Sequence, residues 1–130
     1  MPAILKGWVD RTLVMGRAYG GGRWYSDGAF AGKKAMVSVT TGGPETMYQA
    51  GGLNPEMKHL LAPIEHGVFN FTGFNVLPAY FVWGPARLTA EEREQALQDY
   101  AEHLRKVRDL DGVAPPNPAE FPPPSFQRST

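Results

Sequence analysis

The sequence has no cysteine. Disulfides, zinc–thiolate centres and thiol nucleophiles are therefore excluded, while the compartment is left open by that fact alone. It also has no surplus of either charge, since 13 Lys and Arg balance 13 Asp and Glu. Nothing in that balance supplies a basic field for nucleic acid or an anionic membrane surface, and neither is expected as a partner. No apolar run reaches the roughly 18 residues that a membrane span requires. Lys6 and Trp8 interrupt any signal-peptide core near the N-terminus, and no small-residue cleavage site follows. A soluble, cytoplasmic protein is the expectation. Only His59, His66 and His103 are available as imidazole ligands; no pair of them has metal-ligand spacing, and no serine sits in a nucleophile-elbow sequence, so no metal site and no hydrolytic centre are expected.

What is present is a chain of 130 residues with 42% hydrophobic content, enough for one domain with a core. Pro2 suits the first turn of a helix. Ile4, Leu5, Trp8, Val9, Leu13 and Val14 follow at helical spacing, predicting a helix that ends near Gly16. Gly20, Gly21 and Gly22 form a loop flanked by Tyr19, Trp24 and Tyr25, which reads equally as a surface turn or as a lid over a flat ligand. Residues 35–41 read as a strand buried on both faces, as in a parallel sheet. A helix follows, with Asn54 as cap, Pro55 at its first position and Gly73 at its end. Its stripe is Met57, Leu60, Leu61, Ile64, Val68 and Phe71. Residues 76–83 read as a second strand, placed at a sheet edge by Pro78. Thr89 and Glu92 have capping-box spacing and open a last helix that buries Leu97, Tyr100, Ala101, Leu104 and Val107 and ends near Gly112. His59 and His103 are expected on solvated helix faces. Six of the 12 prolines lie between Pro115 and Pro124, so residues 113–130 are expected as an extended or disordered tail behind a domain of residues 1–112.

The order α-β-α-β-α argues for a parallel α/β fold. Two strands are too few for three helices to cover, so the sheet looks incomplete. Ligands in open α/β sheets bind beyond the carboxyl ends of the strands. Thr40-Thr41-Gly42-Gly43 sits at such an end, where glycine permits close backbone approach; the same four residues also make an ordinary tight turn. Tyr48 in the following loop is either a hydrogen-bond donor to an electron-rich ring or a packed tyrosine with a wet hydroxyl.

Several motifs occur in one order: Pro2-Ala3-Ile4-Leu5-Lys6-Gly7-Trp8, then Lys33-Lys34-Ala35 running into Ser38-Val39-Thr40-Thr41-Gly42-Gly43, then Met47-Tyr48. Pro63-Ile64, Gly67, Phe71, Gly73-Phe74 and Val76-Leu77 keep the register. Together they resemble the C-terminal portion of the NAD(P)H dehydrogenase (quinone) family of DT-diaphorase type. The resemblance covers roughly residues 2–83 and continues more weakly through the last helix. It implies a partial flavodoxin-like fold, a parallel sheet with helices on both faces, in which the N-terminal strands are missing. It further implies a homodimer holding FAD (or FMN), with NAD(P)H as co-substrate and a quinone as two-electron acceptor.

Carried onto this sequence, Thr40, Thr41, Gly42 and Gly43 would contact the isoalloxazine ring and Tyr48 would donate to it. Tyr19 from the partner subunit and Phe71 would line the substrate cavity. Asn54 stands where the family places a histidine, and an amide donates a hydrogen bond but takes up no proton. Gly21 stands where the family can carry a second cavity tyrosine. The family's opening strand and phosphate-binding loop have no counterpart before Met1. Losing several hundred Å² of apolar burial forfeits on the order of 10 kcal/mol at about 25 cal/mol per Å², so the chain alone is expected to be marginal or dependent on another polypeptide. Two further readings stand beside the enzyme: a non-catalytic regulatory partner of a full-length reductase, and an FMN-dependent azo- or nitroreductase or potassium-efflux regulator of the same fold.

Overall fold

Prolines interrupt two of this chain's expected elements, the second helix at Pro63 and the second strand at Pro78. The computed structural model describes residues 1–128, which fall into two units. The first takes Met1–Ala35, Ile64–Val76 and the chain from Val113 onward; the second takes Met36–Pro63 and Leu77–Gly112. Each holds one two-stranded parallel sheet.

In the first unit, helix α1 covers Ala3–Thr12 behind Pro2. It stops short of Gly16 because Leu13 leaves helical geometry while its N–H still bonds the Val9 carbonyl at 3.0 Å. No residue of α1 is buried; Ile4 is 91% exposed. Strands β1 (Lys34–Ala35) and β3 (Asn75–Val76) pair in the register Lys34↔Asn75 and Ala35↔Val76. Val76 also exchanges two backbone hydrogen bonds with Val113, at 2.9 and 2.7 Å. The Pro116 carbonyl accepts the Ser26 N–H at 3.1 Å, and a single 3₁₀ turn forms at Pro118–Glu120. The proline-rich segment is thus fastened to this unit at its start. Gly28 lies against the Thr72 backbone so closely that a β-carbon there would overlap it. Phe30 and Phe74 stack at 4.6 Å, and buried Asn70 donates to the carbonyls of Phe74 and Val113.

In the second unit, β2 (Ser38–Thr41) pairs with β4 (Tyr80–Trp83), Ser38 opposite Tyr80 and Thr41 opposite Trp83. The uninterrupted strands expected over 35–41 and 76–83 are each broken in two. Pro78 has no N–H to give a ladder, residues 77–79 leave strand geometry, and pairing resumes with Tyr80 N–H to Val37 at 2.9 Å. Burial on both faces is also corrected. Ser38 and Thr40 are exposed while Val39 and Thr41 are half-buried, so β2 alternates.

Helix α2 covers Met57–Ile64 and continues as a π-helical segment, Glu65–Asn70, before Gly73 at φ +106°. The start expected at Asn54 is moved: the first carbonyl of the helix is that of Glu56, which accepts the N–H groups of His59 at 2.9 Å and Leu60 at 3.4 Å, while the Asn54 N–H bonds the Met47 carbonyl at 2.9 Å. The expected uninterrupted α-helix is broken by Pro63, whose missing donor loosens the ladder just before the π segment. Helix α3 covers Ala90–Lys106 with the capping box formed: Glu92 N–H to Thr89 Oγ1 at 3.2 Å and Thr89 N–H to Glu92 Oε2 at 2.7 Å. Its expected buried face is not buried. Leu97 is 64% exposed, because two short strands offer less width than the helix stripe. His103 departs from the solvated position expected for it: its ring lies 4.8 Å from Tyr80, and Nε2 is 3.2 Å from Met36 Sδ.

Candidate functional site

The turn after β2 exposes bare backbone at Gly42. Thr41 Oγ1 donates to the Gly43 carbonyl at 2.8 Å, and the Thr41 carbonyl accepts the Gly84 N–H at 2.8 Å. The turn is therefore fixed from both strands. A β-carbon at Gly42 would meet nothing within 4 Å, while Gly43 is buried and faces Met47 and Tyr48. Gly42 thus presents bare backbone to open space at the carboxyl end of a parallel strand.

Tyr48 ends the short helical turn Glu45–Tyr48. Its ring stacks on Trp83 at 5.7 Å, and Trp83 stacks on Phe81 at 4.9 Å. Because Thr41 is paired with Trp83, Thr41 and the aromatic row share one face of the sheet. Thr40 belongs to the opposite face, where it lines a cavity of about 330 Å³ with Tyr80, Leu97 and Tyr100 of α3. Any contact from Thr40 to a ligand on the Tyr48 side comes from its backbone. Asn54 is half-buried and closes the loop through its N–H. Trp83 was not singled out from the sequence. Only the parallel register, invisible in one strand read alone, sets it beside Thr41.

Tyr19 and Phe71 belong to the first unit. Their rings are 5.2 Å apart and line a cavity of about 230 Å³ with Leu13 and Val68. The three-glycine loop after Tyr19 has φ of +99°, +63° and +85°, a run of left-handed conformations that only glycine adopts at little cost. It is tied by reciprocal Gly20–Arg23 backbone bonds of 3.1 and 3.3 Å. Phe71 also meets Tyr25 edge-on at 5.6 Å. Tyr25 opens a second, larger cavity of about 440 Å³, walled by Trp24, His66 and rings from the proline-rich segment. Beside His66, burial raises the Glu65 carboxyl above the ordinary glutamate range. Among the described residues, no cluster of acidic and imidazole side chains is arranged to hold a metal ion, and no helix is long and apolar enough to cross a membrane.

A parallel strand that ends in an open glycine turn, with helices before and after it, is the arrangement of an open-sheet α/β protein, a class in which ligands bind beyond the carboxyl ends of the strands. The chain belongs to the flavodoxin-like fold family, which it matches over residues 1–107. It is 38% identical over 107 residues to human ribosyldihydronicotinamide dehydrogenase (quinone), covering 82% of this chain and 46% of that protein. It is 39% identical over 107 residues to rat NAD(P)H dehydrogenase (quinone) 1, covering 82% of this chain and 39% of that protein. A putative quinone reductase from Klebsiella pneumoniae superposes with a TM-score of 0.84 at 29% identity, over 98% of this chain and 53% of that one. The chain therefore spans about half the length of the relatives it matches. The partial flavodoxin-like assignment made from the motifs is correct.

Proposed function

We propose that this chain carries the ring-binding and acceptor-binding parts of a flavin-dependent NAD(P)H:quinone oxidoreductase. The observation that carries this is the turn at Thr40, Thr41, Gly42 and Gly43. It has open backbone at Gly42, is fixed from both strands, and stands beside a Tyr48 ring held on Trp83. The related proteins named for quinone-dependent dehydrogenation support the substrate class. These residues fit one face and edge of a flat tricyclic ring. Backbone can come within hydrogen-bond distance there because no side chain stands at Gly42, and the phenol can donate to an electron-rich edge. FAD is the favoured cofactor, with FMN as the alternative; when bound, it supplies the two-electron transfer between NAD(P)H and the quinone.

The chain's own residues position and polarise. Gly42 and Gly43 set the approach distance, and Tyr48 places a hydroxyl where negative charge develops. Asn54 donates without taking up a proton. Tyr19 and Phe71 supply apolar walls for a planar acceptor. A homodimer, in which Tyr19 reaches the partner's site, is the proposed assembly. Pairing with a full-length relative is a second reading, favoured by α1, none of whose residues is buried.

The test is spectroscopic. Purified protein supplied with FAD should carry a flavin absorption band that bleaches anaerobically with NADH or NADPH and returns on adding a quinone. A protein that takes up neither FAD nor FMN would exclude the enzyme reading and leave the regulatory one.

A further inference from the structure

The larger cavity of the first unit takes no part in the reaction proposed above, and its lining has a chemistry of its own. Its walls are the rings of Trp24, Tyr25, Phe121 and Phe126, with two proline rings from the proline-rich segment. These rings do not form one flat wall. Trp24 meets Phe126 at an interplanar angle of 80° and Tyr25 at 35°, with centroids 6.3 and 5.8 Å apart. Aromatic faces carry the negative end of a quadrupole and attract cations within about 6 Å of the ring centroid. None of the described residues lining the cavity carries a carboxylate, an ammonium or a guanidinium. Its polar side chains are Tyr25 and His66, whose hydroxyl and Nε2 stand 3.5 Å apart and engage each other.

One of these rings already carries a cation. The Arg128 guanidinium lies 5.4 Å from the Phe121 centroid and is held by a 2.7 Å ion pair to Glu120. Among the described residues, Tyr25 and Phe126 are the two non-glycine residues with positive φ, +50° and +52°, and both line this cavity. Such conformations cost energy and gather at ligand clamps. At about 440 Å³ the cavity falls within the range of small-molecule sites. The lining also selects among cations. A primary ammonium brings three N–H donors and a guanidinium five, and burying them where few acceptors are free costs more than ring faces return. A trimethylammonium group has no donor to satisfy.

We propose that this cavity binds a small molecule bearing a trimethylammonium group, a function separate from flavin and acceptor binding. The rings of Trp24, Tyr25, Phe121 and Phe126 receive the methyl groups, and the remaining volume takes a short uncharged tail. A neutral ligand of the same shape keeps the apolar contact and loses the attraction between charge and ring. Every lining residue belongs to the first unit, so the site is complete there and needs no flavin.

The test titrates choline into the purified full chain while the side-chain NMR signals are followed. The Trp24 indole and Tyr25 ring signals should shift saturably, with Trp8 and Trp83 unmoved. Shifts that never saturate, or that fall on Trp8 or Trp83 and spare Trp24, overturn the proposal. The uncharged isostere 3,3-dimethylbutan-1-ol, with carbon in place of nitrogen, should bind about tenfold more weakly. Equal affinity for the two overturns the proposal, because the cavity would then be an apolar pocket indifferent to charge. Trp24→Ala should weaken choline binding about tenfold, and unchanged affinity in a folded variant overturns the assignment of that ring. The isostere comparison uses the unaltered protein, so it decides even where the variant fails to fold. Phosphatidylcholine vesicles separate a free ligand from a lipid headgroup. The chain should stay in solution when they are sedimented, and sedimentation that choline reverses would overturn the small-molecule assignment.

Discussion

At the scale of single residues, the candidate site depends on an atom that is not there. A β-carbon on Gly42 would enter open space, so Gly42→Ala carries no packing penalty and fills the approach path to the turn. The expected outcome is an unchanged melting temperature with flavin affinity lowered at least about tenfold, or about 1.4 kcal/mol, measured by fluorescence titration. Equal affinity would show that nothing approaches Gly42.

Glu65 provides a second test at this scale. Burial raises its carboxyl above the ordinary value, so the folded chain holds the proton more tightly than the unfolded chain. The resulting stability is complete below the ordinary glutamate pKa, about 4.3, and is lost as pH rises through the raised folded value. Glu65→Gln should therefore melt at a higher temperature than the unaltered protein at pH 7. The gap should close as the pH falls towards 4. Melting curves that differ by a constant amount at every pH would contradict the burial argument.

At the scale of elements, close backbone approach fixes the first unit. A β-carbon at Gly28 would overlap the Thr72 carbonyl group and come within 2.6 Å of the Gly73 nitrogen. Both are backbone and cannot swing aside. Gly28→Ala should destabilise the fold by about 1–3 kcal/mol, read as a lower urea midpoint; an unmoved midpoint would contradict it. Helices were legible because their signals are local. Pro2 marked the start of α1, Thr89 and Glu92 formed the capping box of α3, and Gly73 ended the second helix in a left-handed conformation.

Breaks inside elements were less legible. Pro78 was read as the mark of an edge strand, yet it also removes its neighbours from the ladder, and the matching residues of the facing strand lose their partners with them. The two faces of β2 were missed for a related reason. Serine and threonine at alternate positions read as part of an apolar run until pairing assigned them to sides. His103 looked solvated beside Glu102, Arg105 and Lys106 because its contacts, Tyr80 and Met36, are far away in sequence. Trp83 carried no motif at all. Its neighbours come from another strand and a loop, so only the folded chain brings it into the account.

At the scale of the whole molecule, the chain buries little of its apolar content. Among the described residues, the buried apolar ones are Ala18, Leu61, Val76 and Leu77. Ile4, Trp8, Met15, Leu53 and Leu97 are each more than half exposed. Exposed apolar residues on this scale seek cover, and a two-stranded parallel sheet leaves strand edges open to pairing. The 130-residue chain should therefore self-associate, or co-purify with a polypeptide that covers these surfaces. Size-exclusion chromatography with light scattering tests this directly; a monodisperse monomer with one cooperative melt would contradict it.

The central claim is that the Thr41-Gly42-Gly43 turn and Tyr48 lie against a flavin ring. A crystal structure of the flavin-loaded protein tests it most directly. The ring's edge should lie within hydrogen-bond distance of backbone at Gly42 or Gly43 and of the Tyr48 hydroxyl. A ring bound elsewhere, with side chains closed over the turn, would contradict the account.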